Sequence, residues 1–504
     1  MNKSEMSRLV KVEERIYQIA EEMGLEFCPI EFDIVPNKKM IELMAYMLPG
    51  NISNWKYGRD YEKIRTRYEK SDYNLPLEMV VNTDPSRAYL MKENTFAIQT
   101  LVMSHVVGHV AYFTMNRHFV PTDKYIITVL SEASKRFNKY ERMYGIDIVE
   151  KTIDAAHALM FHSSPFDVEL ESEKRERIFE QLKKKYTSTH VSEFEDIVPS
   201  TTKQNIEEDI ELFNRKLWMK LKAKTPVQPT EDFLRYIIDN SNKLDDWQKD
   251  ICEIIRQEGI YFWPQVRSKF ANEGFATYIH EKIMWQLFQE GYLNKSDHAQ
   301  YNYSNSFVKA KSPLSLNPYL LGSKIWENIE DRWDKGRFGR EYNNLTSVKE
   351  KENWDTKVMK GKEKVFEVLR TSSDWFFMKE FLTPDLVNDL GLYIYAIKET
   401  NVSEDIIITR HQAKEIAELI SSSFVHSGIP KIKIVNGDFN DNRTMKLEHT
   451  FVGVPLEPKY CEETMKHMFF LWGSDIALKT KDENKNDLFY AVSTKDPKVK
   501  TLKN

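Results

Sequence analysis

Between Asn94 and Asn116 the chain carries no Asp, Glu, Lys or Arg. A charge-free run of that length can cross a bilayer as a helix. It is also what a helix buried on every side of a protein core looks like. The polar residues in the run decide between the two. Gln99, Ser104, His105 and His109 interrupt it, and imidazoles are costly in lipid. The run therefore reads as the central helix of a soluble core, started by Asn94 or Thr95. Polar groups in such a place need partners, so the rest of the sequence is searched for what His105 and His109 meet.

A large core is affordable on composition. Of 504 residues, 41% are hydrophobic and 12% aromatic. The length suggests roughly two to four domains, and 30% charge with few Gly and Pro is globular rather than disordered or fibrous. The net charge of −5 and a pI near 6.2 lack the basic excess of a nucleic-acid binder. The run Lys183-Lys184-Lys185 sits among acidic residues and reads as a solvated helix face. Cys28, Cys252 and Cys461 are far apart and form no CxxC pair, which fits a reducing, cytoplasmic compartment. The first residues, MNKSEMSRLVKVEERIYQIAEEMG, are charged throughout and read as an amphipathic helix, not a signal peptide.

The patterning predicts an α+β protein with a predominantly α-helical core. Residues 1–167 read as its N-terminal part: a strand at Leu77–Val81, then helices from Asn94 or Thr95, over 122–143 and over 147–162. Residues 168–230 are charged and mixed and read as a linker or insertion. Residues 231–400 read as a helical second part of the core, with a long helix from about Lys269 to Glu290 and an irregular stretch over 330–362. From 401 the order is strand (Glu404–Thr409), helix ended by Gly428, strands Lys431–Val435 and Thr444–Phe451, helix Glu457–Trp472 and strand Asp475–Thr480. That order, βαββαβ, is that of a ferredoxin-like unit.

Three constellations can carry chemistry. His105-Val106-Val107-Gly108-His109 has i, i+4 spacing, which puts both rings on one helix face within reach of one ion. In HExxH metalloproteases the residue after the first His is the Glu general base. Here it is Val106. Asn272-Glu273-Gly274-Phe275-Ala276 is similar to the NEGFA-type stretch of gluzincin aminopeptidases. That resemblance implies Glu273 as a third metal ligand on a second helix, although the spacing from HxxxH is far longer than in those enzymes. His280 lies two turns further along the same face and is a further candidate ligand. The alternative is a buried carboxylate bonded to two histidines with no ion. Asp154 and His157, at i, i+3, with Glu141 on a preceding helix, can orient a general base or bind metal. P-loop, dinucleotide-fold and GxSxG signatures are absent.

These motifs lie where the chain resembles the SpoVR family (stage V sporulation protein R). Trp55-Lys56-Tyr57-Gly58 looks like its W-x-[FY]-G segment, and Leu77–Asn82 followed by Pro85–Leu90 looks like E-x-V-x-N…P-x-x-A-[YF]-L. Residues 104–119 resemble AHV-x-x-H-x-DFF-x-x-N-x-x-F, Tyr140–Gly145 resembles Y-E-x-x-[HY]-G, and 244–283 resemble W-Q-x-D-I…NEG-[WF]-A-x-Y-x-H. Residues 317–332 continue the match. Asn436-Gly437-Asp438, Leu447-Glu448-His449 and Leu471-Trp472-Gly473 extend it into the tail. The family's Asp in H-x-DFF is Ala111 here.

The resemblance implies a role in spore cortex formation, or in stress and stationary-phase physiology. It also implies gene neighbours that are a PrkA-type serine kinase and a YhbH/YeaH-type protein. Two functions are therefore expected as alternatives. One is a zinc-dependent, hydrolase-like enzyme with His105, His109, Glu273 and His280 around the ion and Glu141, Asp154 or His157 as acid–base groups. The other is a non-catalytic scaffold binding the kinase and its neighbour.

Overall fold

The computed structural model describes residues 3–46, 55–69, 78–166, 169–190, 200–312, 315–399, 404–410 and 412–503. The chain forms two compact units, 1–138 with 261–428 and 139–260 with 429–504.

The first unit is organised around the charge-free run. It forms a helix, Phe96–Met115, buried on all sides from Phe96 to Phe113. It is long and apolar enough to cross a membrane, yet its apolar 18-residue stretch is covered by protein. Thr95 caps it, its hydroxyl accepting from the Ile98 N–H. Three of the polar side chains in the run bond locally. Thr100 and Ser104 donate to carbonyls one turn back, and Gln99 donates to Met91 O. The N-terminal helix Lys3–Glu22 lays Leu9, Val12, Ile16, Ile19 and Ala20 into the same core, at the spacing of one helical face. A three-stranded sheet flanks it. Ser86–Met91 is its central strand, parallel to Ile30–Val35 and antiparallel to the edge strand Glu78–Val81, with Glu78 opposite Leu90. Leu77 lies outside the described residues.

Two more helices complete the framework of the site. Lys269–Gln289, the glutamate helix, packs against the histidine helix Phe96–Met115, and Pro318–Asp334 packs on the glutamate helix. Small residues set both approaches. A Cβ on Gly108 would stand 2.6 Å from Ala276 Cα. The Trp326 indole donates to Ala271 O, locking the second pair. The glutamate helix begins without a cap from its own Ser268. Asp374, 2% exposed, supplies it from a distance, accepting from Phe270 N at 3.1 Å and Ala271 N at 2.8 Å. The 330–362 stretch, expected to be irregular, is more than half helical: it holds the end of Pro318–Asp334, the short helices Gly339–Asn343 and Val348–Asn353, and the start of Gly361–Thr371.

The second unit holds a five-stranded sheet in the order 500–503, 487–492, 476–481, 444–449, 432–439. Thr444–His449 and Ile476–Lys481 run parallel, joined by the helix Pro458–Trp472, and the other neighbours are antiparallel. That helix packs on Ile146–Leu159.

The stretch 168–230, read as a linker or insertion, is built largely of two helices, Glu171–His190 and Ser200–Ala223, packed on each other. Tyr186 stacks on Phe213 at 3.7 Å and Phe179 meets Trp218 at 5.1 Å. Their aromatic stripe is diluted by charge on every other face, which hid it; residues 167–168 and 191–199 lie outside the described residues.

The tail is not a βαββαβ unit starting at Glu404. Glu404–Arg410 pairs with Ile394–Glu399, and helix Ala413–Ser423 buries Ile416, Ala417 and Ile420 in the first unit's core. The sheet instead continues past 481 through Asp487–Val492, whose Leu488, Tyr490 and Val492 alternate inward. The division between units therefore falls after Gly428, not at 401.

Candidate metal centre

The i, i+4 spacing does what helical geometry requires. His105 and His109 stand edge to face with ring centroids 4.5 Å apart, and their residues are 5% and 7% exposed. Glu273 reaches both from the neighbouring helix. Its Oε2 lies 3.5 Å from His105 Nε2 and 3.4 Å from His109 Nε2. Both His105 Nε2 and Glu273 Oε2 are buried without a hydrogen-bond partner. Gly108, inside the first motif, lets the two helices come this close, and Gly274, inside the second, lets Pro318–Asp334 approach the glutamate helix.

The other ring nitrogens are held from behind. His109 Nδ1 is 3.0 Å from Asn272 Oδ1, and His105 Nδ1 is 2.9 Å from His280 Nδ1. His280 Nε2 is 3.2 Å from Asn305 Oδ1. His280 thus stands behind His105, on the opposite side of that ring from Glu273, with both its nitrogens engaged.

Two residues join the cluster that motif spacing did not single out. Glu78, on the edge strand, has a carboxylate oxygen within 4.8 Å of a ring nitrogen of each histidine, which themselves lie within that distance of each other. Tyr319, on Pro318–Asp334, has its hydroxyl close enough to feel the charge on Glu273 and its ring 6.0 Å from that of His105. A lone acidic residue heading an otherwise apolar strand was the available signal for Glu78. Nothing in the spacing marked Tyr319.

The electrostatics follow from burial and proximity. Burial alone would raise the Glu273 carboxyl, but the two histidines outweigh it and hold it well below the usual range. Burial, reinforced by the charge on Glu273, pushes Glu78 up to about 7. Burial and then His109 lower His105, whereas Glu273, Asn272 and Glu78 outweigh burial at His109 and raise it. The Tyr319 hydroxyl is raised, first by Glu273 and then by burial. The site therefore keeps its negative charge on Glu273, facing two imidazoles, while the Glu78 carboxyl beside them titrates near neutrality.

Glu141, Asp154 and His157 are not part of this cluster, which is built entirely from the first unit. Asp154 and His157 share a face of the helix Ile146–Leu159, where His157 Nε2 lies 3.6 Å from Glu258 Oε2. Val106 and Ala111 are both 0% exposed in apolar surroundings. The histidine helix thus brings no carboxylate of its own.

Comparison with known proteins covers nearly the whole chain. The family described as SpoVR like protein matches residues 3–429, and the SpoVR-like C-terminal domain matches 430–483. The uncharacterized protein YcgB of Escherichia coli strain K12 is 26% identical over 490 residues, spanning 93% of this chain and 91% of that one. No solved structure matches.

Proposed function

The chain belongs to the SpoVR family, and from that premise we propose that it is a metal-dependent, hydrolase-like enzyme with its site on the histidine and glutamate helices. His105 Nε2, His109 Nε2 and Glu273 Oε2 would hold one divalent ion, with zinc the first choice for this nitrogen and oxygen set. The observation that carries the reading is the pair of distances from Glu273 to the histidines, 3.5 and 3.4 Å. A charge-assisted N–H···O bond is about 2.7–2.9 Å long. Two ligand atoms about 2.0–2.1 Å from a shared tetrahedral ion lie about 3.3–3.4 Å apart. The spacing supports a shared ion over a direct hydrogen bond.

A bound ion would supply Lewis acidity for attack of water on an acyl centre. The protein's own groups then have distinct tasks. Glu78 takes the place of the carboxylate that Val106 lacks: it lies beside the same nitrogens and would accept a proton at a carboxylate oxygen. Tyr319, whose hydroxyl lies within the field of Glu273, is the other ionisable group beside them. The family's association with the spore cortex points the search for a substrate to peptidoglycan fragments.

Metal content of untagged protein, wild type beside His105→Ala and Glu273→Ala, tests this directly. About one equivalent of zinc, iron or manganese in wild type, lost in both variants, is expected for a three-ligand site. No metal in any sample, with the variants merely less stable, would mean a polar core cluster.

The absence of a carboxylate on the histidine helix favours a second reading, a scaffold in which the ion is structural and the partners are a PrkA-type serine kinase and a YhbH/YeaH-type protein. Under it, binding of the kinase survives the His105→Ala, Glu273→Ala double change. Failure to bind either partner would count against it.

A further inference from the structure

Behind His105 a chain of polar side chains runs outward. His105 Nδ1 is 2.9 Å from His280 Nδ1, and His280 Nε2 is 3.2 Å from Asn305 Oδ1. Asn305 Nδ2 donates to Glu281 Oε1 at 2.7 Å, and Lys309 Nζ donates to the same oxygen at 2.7 Å.

The direction of every bond follows from the outer end inward. A carboxylate only accepts, so Asn305 must turn its NH2 to Glu281 and its carbonyl oxygen to His280. A carbonyl oxygen only accepts as well, so His280 carries a proton on Nε2. A second proton on its Nδ1 would make it a cation only 3% exposed, with the Lys309 ammonium at the end of the same chain, which burial and like charge both disfavour. His280 Nδ1 is therefore a lone pair, and the proton between the two rings belongs to His105 Nδ1. That leaves a lone pair on His105 Nε2, aimed at the Glu273 carboxylate 3.5 Å away. Two electron-rich atoms, both buried and both without a hydrogen-bond partner, face each other.

We propose that His280 is a positioning residue: with Asn305 and the Glu281–Lys309 ion pair it holds His105 in the tautomer whose Nε2 lone pair faces Glu273, and so sets the site's affinity for a divalent cation. The inference rests on the metal reading above and deepens it. It assigns His280 the task of orienting a ligand, the role that partners of metal-binding histidines commonly play.

The test has two readouts on the full-length protein. Zinc affinity is measured by competition with a chromophoric chelator, and the His105 tautomer of the metal-free protein is read from nitrogen NMR. His280→Leu is expected to weaken zinc binding about 10–100-fold. His280→Gln recovers most of it, because its amide offers an acceptor toward His105 and a donor toward Asn305. Asn305→Ala, at a half-buried position, gives a smaller loss. Metal-free wild type is expected to show His105 protonated on Nδ1. Unchanged zinc affinity in both His280→Leu and Asn305→Ala, or an Nε2–H tautomer at His105, would overturn the relay. A wild type that binds no zinc would overturn the metal reading instead, and the nitrogen spectra would still decide the relay.

Discussion

A Cβ built on Gly274 would lie 2.3 Å from the carbonyl carbon of Gly322, so the glutamate helix and its neighbour touch backbone to backbone one residue beyond Glu273. Contact this close leaves no room for a methyl group, and the nearest atoms are backbone, which cannot rotate aside. Gly274→Ala is expected to destabilise by about 1–3 kcal/mol through overpacking and to weaken metal binding by displacing Glu273. Gly58→Ala serves as the control. That glycine lies in helix Trp55–Glu69 with open space around its Cβ position, and the change is expected to be neutral or to stabilise by about 0.5–1 kcal/mol. Urea unfolding of both variants checks the pair; equal effects would show that the helix contact is not tight.

Glu78 and Glu273 should separate by function. Glu273→Gln removes the carboxylate shared by both histidines and is expected to lose the ion. Glu78→Gln keeps the shape of an edge-strand residue and is expected to retain the ion while any hydrolytic activity falls about 10²–10⁴-fold, the usual loss for a general base. Metal content and turnover are measured on the same preparations. Loss of metal in Glu78→Gln would make Glu78 a ligand rather than a base.

How much of this was legible varies with how local the signal is. His105 and His109 declare themselves because one helix face is written in i, i+4 spacing, and Glu273 because its neighbours Asn272 and Gly274 form a short motif. Glu78 reaches the site through a strand whose position depends on pairing with Ser86–Met91, and Tyr319 through a helix whose approach depends on Gly322 meeting Gly274. Neither dependence has a sequence period. His280 was legible as a nearby polar residue but not as one behind His105, since helical spacing places a side chain on a face without saying which ring nitrogen it meets. The tail misled for a related reason: Glu404–Arg410 has a strand's composition, but strand composition does not name a partner, and Ile394–Glu399 was the one it found.

Asp374 gives the fold a pH dependence of known sign. Burial, partly offset by the Ala271 and Phe270 N–H groups it accepts from, pushes its carboxyl up to about 6 from an ordinary 3.8. An acid raised in the fold binds more protons folded than unfolded between those two values. Its contribution to stability is therefore full below about 3.8 and lost as the pH rises through about 6. Asp374→Asn removes this titration, so the stability of wild type relative to the variant is expected to fall between pH 4 and pH 7. Unfolding curves at several pH values check it; a difference that is flat with pH, or rises, would show that the carboxyl titrates normally.

In the second unit, Asp232 and Arg256 form a buried pair whose removal should be strongly asymmetric. Arg256 donates through Nε at 3.0 Å and Nη2 at 2.8 Å to Asp232 Oδ2, with side chains 10% and 1% exposed. Asp232 also caps helix Phe233–Asn240, its Oδ1 accepting from Arg235 N, and its Oδ2 accepts from Ser164 N. Asp232→Ala takes the closest counter-charge from a buried guanidinium, which keeps only the longer contact to Glu253 Oε1 at 3.5 Å among its acidic partners here, and opens four hydrogen bonds at once, and is expected to destabilise by about 3–5 kcal/mol. Arg256→Met leaves a carboxylate that still accepts from two backbone N–H groups, so its cost should be smaller. The double change removes the guanidinium as well and should be no worse than Asp232→Ala alone, because a buried ion pair replaced by apolar groups of similar size is often tolerated. Thermal melting of the four proteins completes the cycle. A double variant whose loss equals the sum of the two single losses would show that the charges act independently, and that the pair owes its burial to packing alone.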